Sequence, residues 1–284
     1  MNWERAKSIL ILFFLAIEFC LCVILVQIRT NRSAISANTV RQTVELLEQH
    51  QIHVSDDVIP KKKFKNRNYH LAALMFENRD NLNKWLGSGY GIVKQDLTAH
   101  QYSYSNQNKQ LMIDKTSISF AVNKNPVLLT ERDQKEIKEH LSAKLKKMGF
   151  SDKNYYFSSA WFDNGLYRAV ISPIAENIKV AGVELNITAD KEELIQISGN
   201  WFQFSGKESF AENGLLDVTS VLANLIYLQK SDPMEITEIS LAAYVPPDYL
   251  DNKIITAAPV YVFVCRDAAE YYFDARTGEQ IVRS

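Results

Sequence analysis

Cysteine is scarce: three in 284 residues, with Cys20 and Cys22 inside one apolar run and Cys265 alone near the end. That excludes a disulfide scaffold. Ten glycines and seven prolines are too few for a collagen-like or low-complexity chain. An excess of one charge is also missing: 32 Lys and Arg stand against 33 Asp and Glu, a formal net charge of -1. Nucleic acid is therefore not expected as a main partner, because phosphate binding needs a clustered basic excess. What is present is apolar material, 46% of the chain, enough to bury one to three cores of about 100 residues each.

That material is unevenly spread. Residues 9–26 read ILILFFLAIEFCLCVILV, eighteen residues with one charge, Glu18. Such a helix spans roughly 27 Å, close to the ~30 Å hydrocarbon core, and extension to Ile28 closes the gap. Residues 9–28 hold fifteen Leu, Ile, Phe or Val residues. At about -0.3 to -0.6 kcal/mol each, they outweigh the ~3 kcal/mol that a charged Glu18 costs at mid-span. The run is expected to insert as an uncleaved anchor. A signal peptide has a shorter apolar core, and the nearest small-residue site, Ala34-Ile35-Ser36, lies well beyond the run. Neither Cys20 nor Cys22 follows the small residues of a lipoprotein box. Arg5 and Lys7 on one flank and Arg29, Arg32 and Arg41 on the other leave the orientation undecided by charge.

Beyond the anchor, Val40, Val44 and Leu47 predict a helix over 38–49. The run Pro60-Lys61-Lys62-Lys63-Phe64-Lys65 then reads as a basic, exposed linker. Residues 71–76 suit a buried strand, 78–86 a short helix ended by Gly87, and 102–120 hairpins around Asn106-Gln107-Asn108. The clearest helix is 131–148: Ile137, Leu141, Leu145 and Met148 line one face, lysines fill the last turns, and Gly149 suits the C′ position. Strands follow at 155–159, 166–172, 183–188 and 194–204, the first two joined by Asp163-Asn164-Gly165. A second helix, 216–230, leads into strands at 239–245, 260–265, 271–274 and 280–282. The two helices start about 85 residues apart. This predicts an α+β fold: two similar units, each a helix on an antiparallel sheet.

The opening Met1-Asn2-Trp3 with Arg5 and Lys7, the apolar run and the acid at Glu18 together resemble the anchor of the YycI (WalI) family of Gram-positive regulators. The stretch Gly149-Phe150 to Tyr155-Tyr156-Phe157 is similar to the middle of that family's outer region. The ending, from Ala258-Pro259-Val260-Tyr261 to Tyr271-Tyr272-Phe273-Asp274-Ala275-Arg276-Thr277-Gly278-Glu279, is similar to its terminal hairpin. The resemblance extends over the layout of nearly the whole chain, and residues 60–125 depart from it most.

The resemblance implies a single-pass membrane protein with its N-terminus cytoplasmic and a YycH/YycI-like α+β region outside the cell. Its implied partners are the sensor histidine kinase of the WalK/WalR (YycG/YycF) two-component system and a YycH-like protein, and it implies neither catalysis nor a cofactor. Read this way, the chain divides into a cytoplasmic start (1–8), a transmembrane helix (9–28), a juxtamembrane helix and basic linker (29–66), a first outer part (67–129) and two α+β units (130–206 and 207–284).

Intramembrane acids usually face a partner helix or a wet cavity. On a helix Glu18 shares its face with Ile11, Phe14, Leu15, Leu21, Cys22 and Leu25. These seven are the candidate partner-binding residues, with Glu18 hydrogen-bonding to a partner's helix.

The remaining motifs point to chemistry only weakly. His50-x-x-His53 with Asp56 and Asp57 lacks a fixed third ligand, so no metal is expected. Gly87-x-Gly89-x-Gly91 follows a helix and is not a dinucleotide fingerprint, and there is no G-x-S-x-G, Walker or H-E-x-x-H motif. Cys265 reads as a core thiol. Lys61 to Lys65 can attract anionic wall polymer or headgroups, or serve only as a solvated linker. Tyr102, Tyr104, Trp161, Trp201 and Phe204 either line a groove or belong to the core. The expectation is a non-enzymatic regulator. Its rival is a membrane-tethered module that binds a peptide, a peptidase or a cell-wall polymer.

Overall fold

The computed structural model describes residues 34–64, 67–73, 79–97, 100–129, 134–210, 214–228, 233–252, 254–267 and 269–282, with positions 7, 13–15, 17–19 and 21. The chain is a mixed α+β protein, mostly sheet with few helices. Two compact units are each assembled from separate stretches: one from 1–65, 215–240 and 261–280, the other from 66–214, 241–260 and 281–284.

In the first unit, α1 (Ala37–Glu48) starts at Ser36, whose side chain accepts from the Thr39 N–H at 3.1 Å. Val40, Thr43 and Leu47 form its buried face. A turn at 49–51, with Gln51 at φ 60, leads into the short strand β1 (Ile52–Val54). β1 pairs in parallel with the start of β13 (Met234–Tyr244). The helix predicted over 216–230 is α4 (Val218–Ala223) continued by a 3-10 turn to Tyr227; residues 229 and 230 lie outside the described positions. Asn224 Nδ2 donates to the Gly278 carbonyl at 2.7 Å, and Tyr261 Oη to the Leu216 carbonyl at 2.7 Å. Burial pushes the Tyr261 phenol well above its ordinary range. β15 (Glu270–Asp274) pairs with both β14 (Ile254–Cys265) and β16 (Gln280–Ile281).

The second unit holds β2 (Arg67–Ala73), α2 (Arg79–Leu86), β3 (Gly91–Asp96), β4 (Gln101–Asn106), β5 (Lys109–Asp114), β6 (Ser117–Val122), α3 (Gln134–Lys147) and the strands β7 (Tyr155–Asp163) to β12 (Phe202–Phe210). β3 to β6 form an antiparallel meander. It continues through β11 (Leu194–Asn200) and β10 (Leu185–Ala189) to β8 (Leu166–Ala175), and β7 lies on β8.

One cross-strand row explains the core. Tyr104 opposes Leu111, then come Phe120, Ile197, Ile187, Ala169 and Ala160, each directly opposite the next. All seven are buried, as alternation on a pleated strand requires of a covered face. Leu82, Trp85 and Leu86 of α2 and Ile137, Leu141 and Leu145 of α3 belong to the same cluster. Full burial of side chains of this size gains about 1.5–3 kcal/mol each.

Two turns show why the chain reverses where it does. Asn164 and Gly165 both have positive φ, 50° and 78°, the two-residue turn that Asn-Gly favours between β7 and β8. The strand predicted over 194–204 instead divides at Trp201 into β11 and β12. Gly199 has φ 134°, and a Cβ there would lie 2.2 Å from the Glu184 carbonyl oxygen. Gly199→Ala is therefore expected to cost about 3 kcal/mol, from backbone strain plus the clash. Chemical denaturation followed by tryptophan fluorescence checks this; an unshifted midpoint would contradict the close approach.

Candidate functional site

Glu18 and three residues sharing its predicted face, Phe14, Leu15 and Leu21, lie at helical positions. Phe14, Leu15 and Leu21 are 58%, 59% and 53% exposed, and Glu18 is exposed beside them. Phe13, Ile17 and Phe19 are exposed as well. Ile11, Cys22 and Leu25 lie outside the described residues. Among the described residues no helix is long and apolar enough to cross a membrane.

The other singled-out residues take ordinary places. His50 sits in a turn with Nδ1 3.0 Å from the Leu46 carbonyl oxygen, while His53 is on β1, so the two imidazoles do not share a helix face. No three His, Cys, Asp or Glu side chains among the described residues could hold a metal ion together. Cys265 is buried at the end of β14. The basic stretch is exposed at Lys61, Lys62 and Lys63, yet it is held along its length. The Lys61 carbonyl accepts from the Ile35 N–H at 2.9 Å, Lys63 pairs with Asp217 at 2.8 Å, and the Phe64 ring lies 5.8 Å from that of Tyr261. Lys65 is outside the described residues. The aromatics do not converge on a groove: Tyr104 and Trp201 are core residues, Tyr102 packs on that core stacked on Tyr104, and Trp161 is 43% exposed.

A charged constellation that the sequence did not single out lies around the turn between β10 and β11. Asp190 is fully buried. Its carboxylate accepts from the backbone N–H groups of Glu192 and Glu193, each at 2.8 Å, and of Val127 at 3.1 Å. The Lys124 ammonium lies 3.1 Å from Asp190, 3.2 Å from Glu192 and 3.0 Å from Glu193, and Lys109 lies 3.1 Å from Glu193. Burial alone would raise the Asp190 carboxyl, but the three N–H donors and Lys124 outweigh it and hold it below its ordinary value of 3.8. Glu193 is likewise pushed up by burial and, more strongly, down by Lys124 and Lys109.

Beside this turn is a cavity of about 240 Å³. Trp85, Phe120 and Leu194 supply its apolar wall; lysines from α2, β5 and α3, with Glu192 and Glu193, supply its charge. Lys144 is only 7% exposed, and its ammonium donates to the Lys191 carbonyl at 3.1 Å. Burial keeps Lys144 below the ordinary ammonium range; Asp190 and Glu193 pull it back up, and Lys147 and Lys124 add repulsion.

No protein-family model matches the chain, and no curated protein matches it. Among solved structures it is similar to the C-terminal domain of Bacillus megaterium YpeB, at 10% identity and a TM-score of 0.45, over 72% of this chain and 96% of that one.

Proposed function

We propose that the chain is a non-enzymatic, membrane-anchored regulator of a sensor histidine kinase of the WalK (YycG) type, acting with a YycH-like protein in cell-wall-related signalling. The observation that carries this reading is the apolar run 9–28, in which Glu18 is the one charged residue. Six large apolar side chains at helical positions within that run are exposed, between 39% and 71%. Left in water they would forgo several kcal/mol of burial, at about 25 cal/mol per Å²; lipid or another helix would recover it. The YycI-like beginning and ending of the sequence support the same topology, N-terminus inside and the α+β region beyond the membrane.

In this reading one transmembrane helix packs against helices of the kinase or the YycH-like protein, and the outer region makes a second contact. The kinase equilibrium then moves by the difference in binding free energy between its two states. Purification of the tagged full chain from solubilised membranes tests it. Co-recovery of a histidine kinase and a YycH-like protein is the expected result. Recovery of wall polymer alone favours the tethered binding module, for which the exposed Lys61 and Lys62 are the supporting feature.

A further inference from the structure

We propose that the cavity between α2, β5 and the end of α3 binds a small ligand carrying a phosphate or carboxylate group on an apolar or ring-shaped body. The proposal does not depend on the anchor. Four lysines, Lys84, Lys109, Lys144 and Lys147, line the cavity against two carboxylates, Glu192 and Glu193. Both carboxylates are already engaged: Glu193 by Lys109 and Lys124, Glu192 by Lys124. Asp190, behind them, is saturated by three backbone N–H groups and Lys124. Asp190 and Glu193 attract Lys144 without overcoming its burial, and the lining holds no carboxylate beyond the already paired Glu192 and Glu193 to answer Lys84 and Lys147.

Lys144 makes this imbalance hard to dismiss as surface charge. An ammonium carries three donors, and this one is nine-tenths buried with the Lys191 carbonyl as its protein acceptor. Capping of α3 does not account for the lysines either. The Phe150 and Met148 N–H groups donate to the Leu145 carbonyl at 3.1 and 3.0 Å, and the Gly149 N–H donates to that of Lys146 at 3.1 Å. The Leu145 and Lys146 carbonyls are thus satisfied by the backbone of a glycine-terminated turn, with Gly149 at φ 96°.

Size and wall chemistry set the rest of the ligand. The cavity, about 240 Å³ and partly open to solvent, is large enough for a ring bearing one anionic group. Trp85 and Phe120, edge to face at 5.6 Å, offer the ring an aromatic wall. A bound anion would also return to Lys144 the stabilisation that burial removes, so binding should take up protons at alkaline pH.

Isothermal titration calorimetry of the full chain in a non-ionic detergent tests the proposal with phenyl phosphate, benzoate, inorganic phosphate and uncharged benzyl alcohol. Saturable binding of phenyl phosphate or benzoate with Kd near or below ~1 mM is expected, weakening as salt is added. Tighter binding of one of the two identifies phosphate or carboxylate as the natural group. Lys144→Met should weaken binding at least tenfold. The exposed pair Lys84→Gln and Lys147→Gln should do the same while leaving the unfolding midpoint unchanged or higher, because it relieves repulsion; this keeps the test valid if Lys144→Met fails to fold. No saturable heat with either ring anion, equal affinity for benzyl alcohol, or unaltered binding in the Gln pair would overturn the proposal.

Discussion

Glu18→Leu is expected to leave the chain in the membrane and to reduce its co-purification with the histidine kinase and the YycH-like protein about three- to eighteenfold. The direction follows from two opposed quantities. Replacing an acid by Leu at mid-span makes insertion more favourable by about 3 kcal/mol, so anchoring cannot be what is lost. A side-chain hydrogen bond between transmembrane helices is worth roughly 0.6–1.7 kcal/mol, which sets the size of the partner effect. Glu18→Gln keeps a donor and an acceptor and should recover most of the binding. Carbonate extraction measures insertion and quantitative mass spectrometry of the purified complex measures partners. Unchanged partner recovery in Glu18→Leu would remove Glu18 from the interface.

The largest stability effect is expected at Asp190. Its carboxylate is fully buried and holds three backbone N–H groups and the Lys124 ammonium. Asp190→Ala leaves the three backbone N–H groups without that acceptor and should destabilise the second unit by about 3–5 kcal/mol. Asp190→Asn keeps an oxygen for the Glu192 and Glu193 N–H groups and should cost about half as much. Lys124 still has Glu192 and Glu193, so it is not stranded in either variant.

The pH dependence carries a definite sign. The folded carboxyl lies below its ordinary 3.8, so its contribution is complete above that value and disappears as pH falls through the lower, folded one. Glu193, depressed from 4.5, acts in the same direction. Denaturant unfolding of the full chain, followed by the fluorescence of its tryptophans, two of which (Trp85 and Trp201) are buried in this unit's core, should show a falling acid limb below about pH 4 that is shallower in Asp190→Asn. Parallel acid limbs in the two proteins would contradict the assignment.

Local chemistry was the part of this fold that could be read from residue order. Val40, Val44 and Leu47 mark α1, although its cap is Ser36 and not the Asn38 or Thr39 that the residue order suggests, and Asn164-Gly165 marks the β7–β8 turn, because each signal lies within a few residues of the structure it specifies. Asn106-Gln107-Asn108 marked a hairpin for the same reason: Asn106 pairs with Lys109, and Gln107 adopts φ 48°. The break at Trp201 was hidden, since Gly199 looks like an ordinary strand residue until the Glu184 carbonyl is brought against it. Strand β9 (Ile178–Ala181) was missed because Glu176 and Asn177 reverse the chain with positive φ although neither is glycine. The parallel pairing of β1 with Met234, Glu235 and Ile236 joins segments some 180 residues apart, which no window of the sequence can display.

The candidate sites divide in the same way. The apolar run with Glu18 is written in consecutive letters. The lysine cavity is not: its cations come from α2, β5 and the end of α3, and each reads alone as a solvated surface charge. Asp190 likewise looks like any acid in a polar turn until Val127 and Lys124 close on it.

Site-specific photo-crosslinking in intact membranes tests the central claim most directly, with the probe placed at Phe14 or Leu21 on the Glu18 face and, for comparison, at Phe13 or Val23 on the opposite face. Capture of a histidine kinase or a YycH-like protein from positions 14 and 21, and not from 13 and 23, is the predicted result. Equal capture from both faces, or a functional chain recovered from the soluble fraction without its first thirty residues, would contradict it.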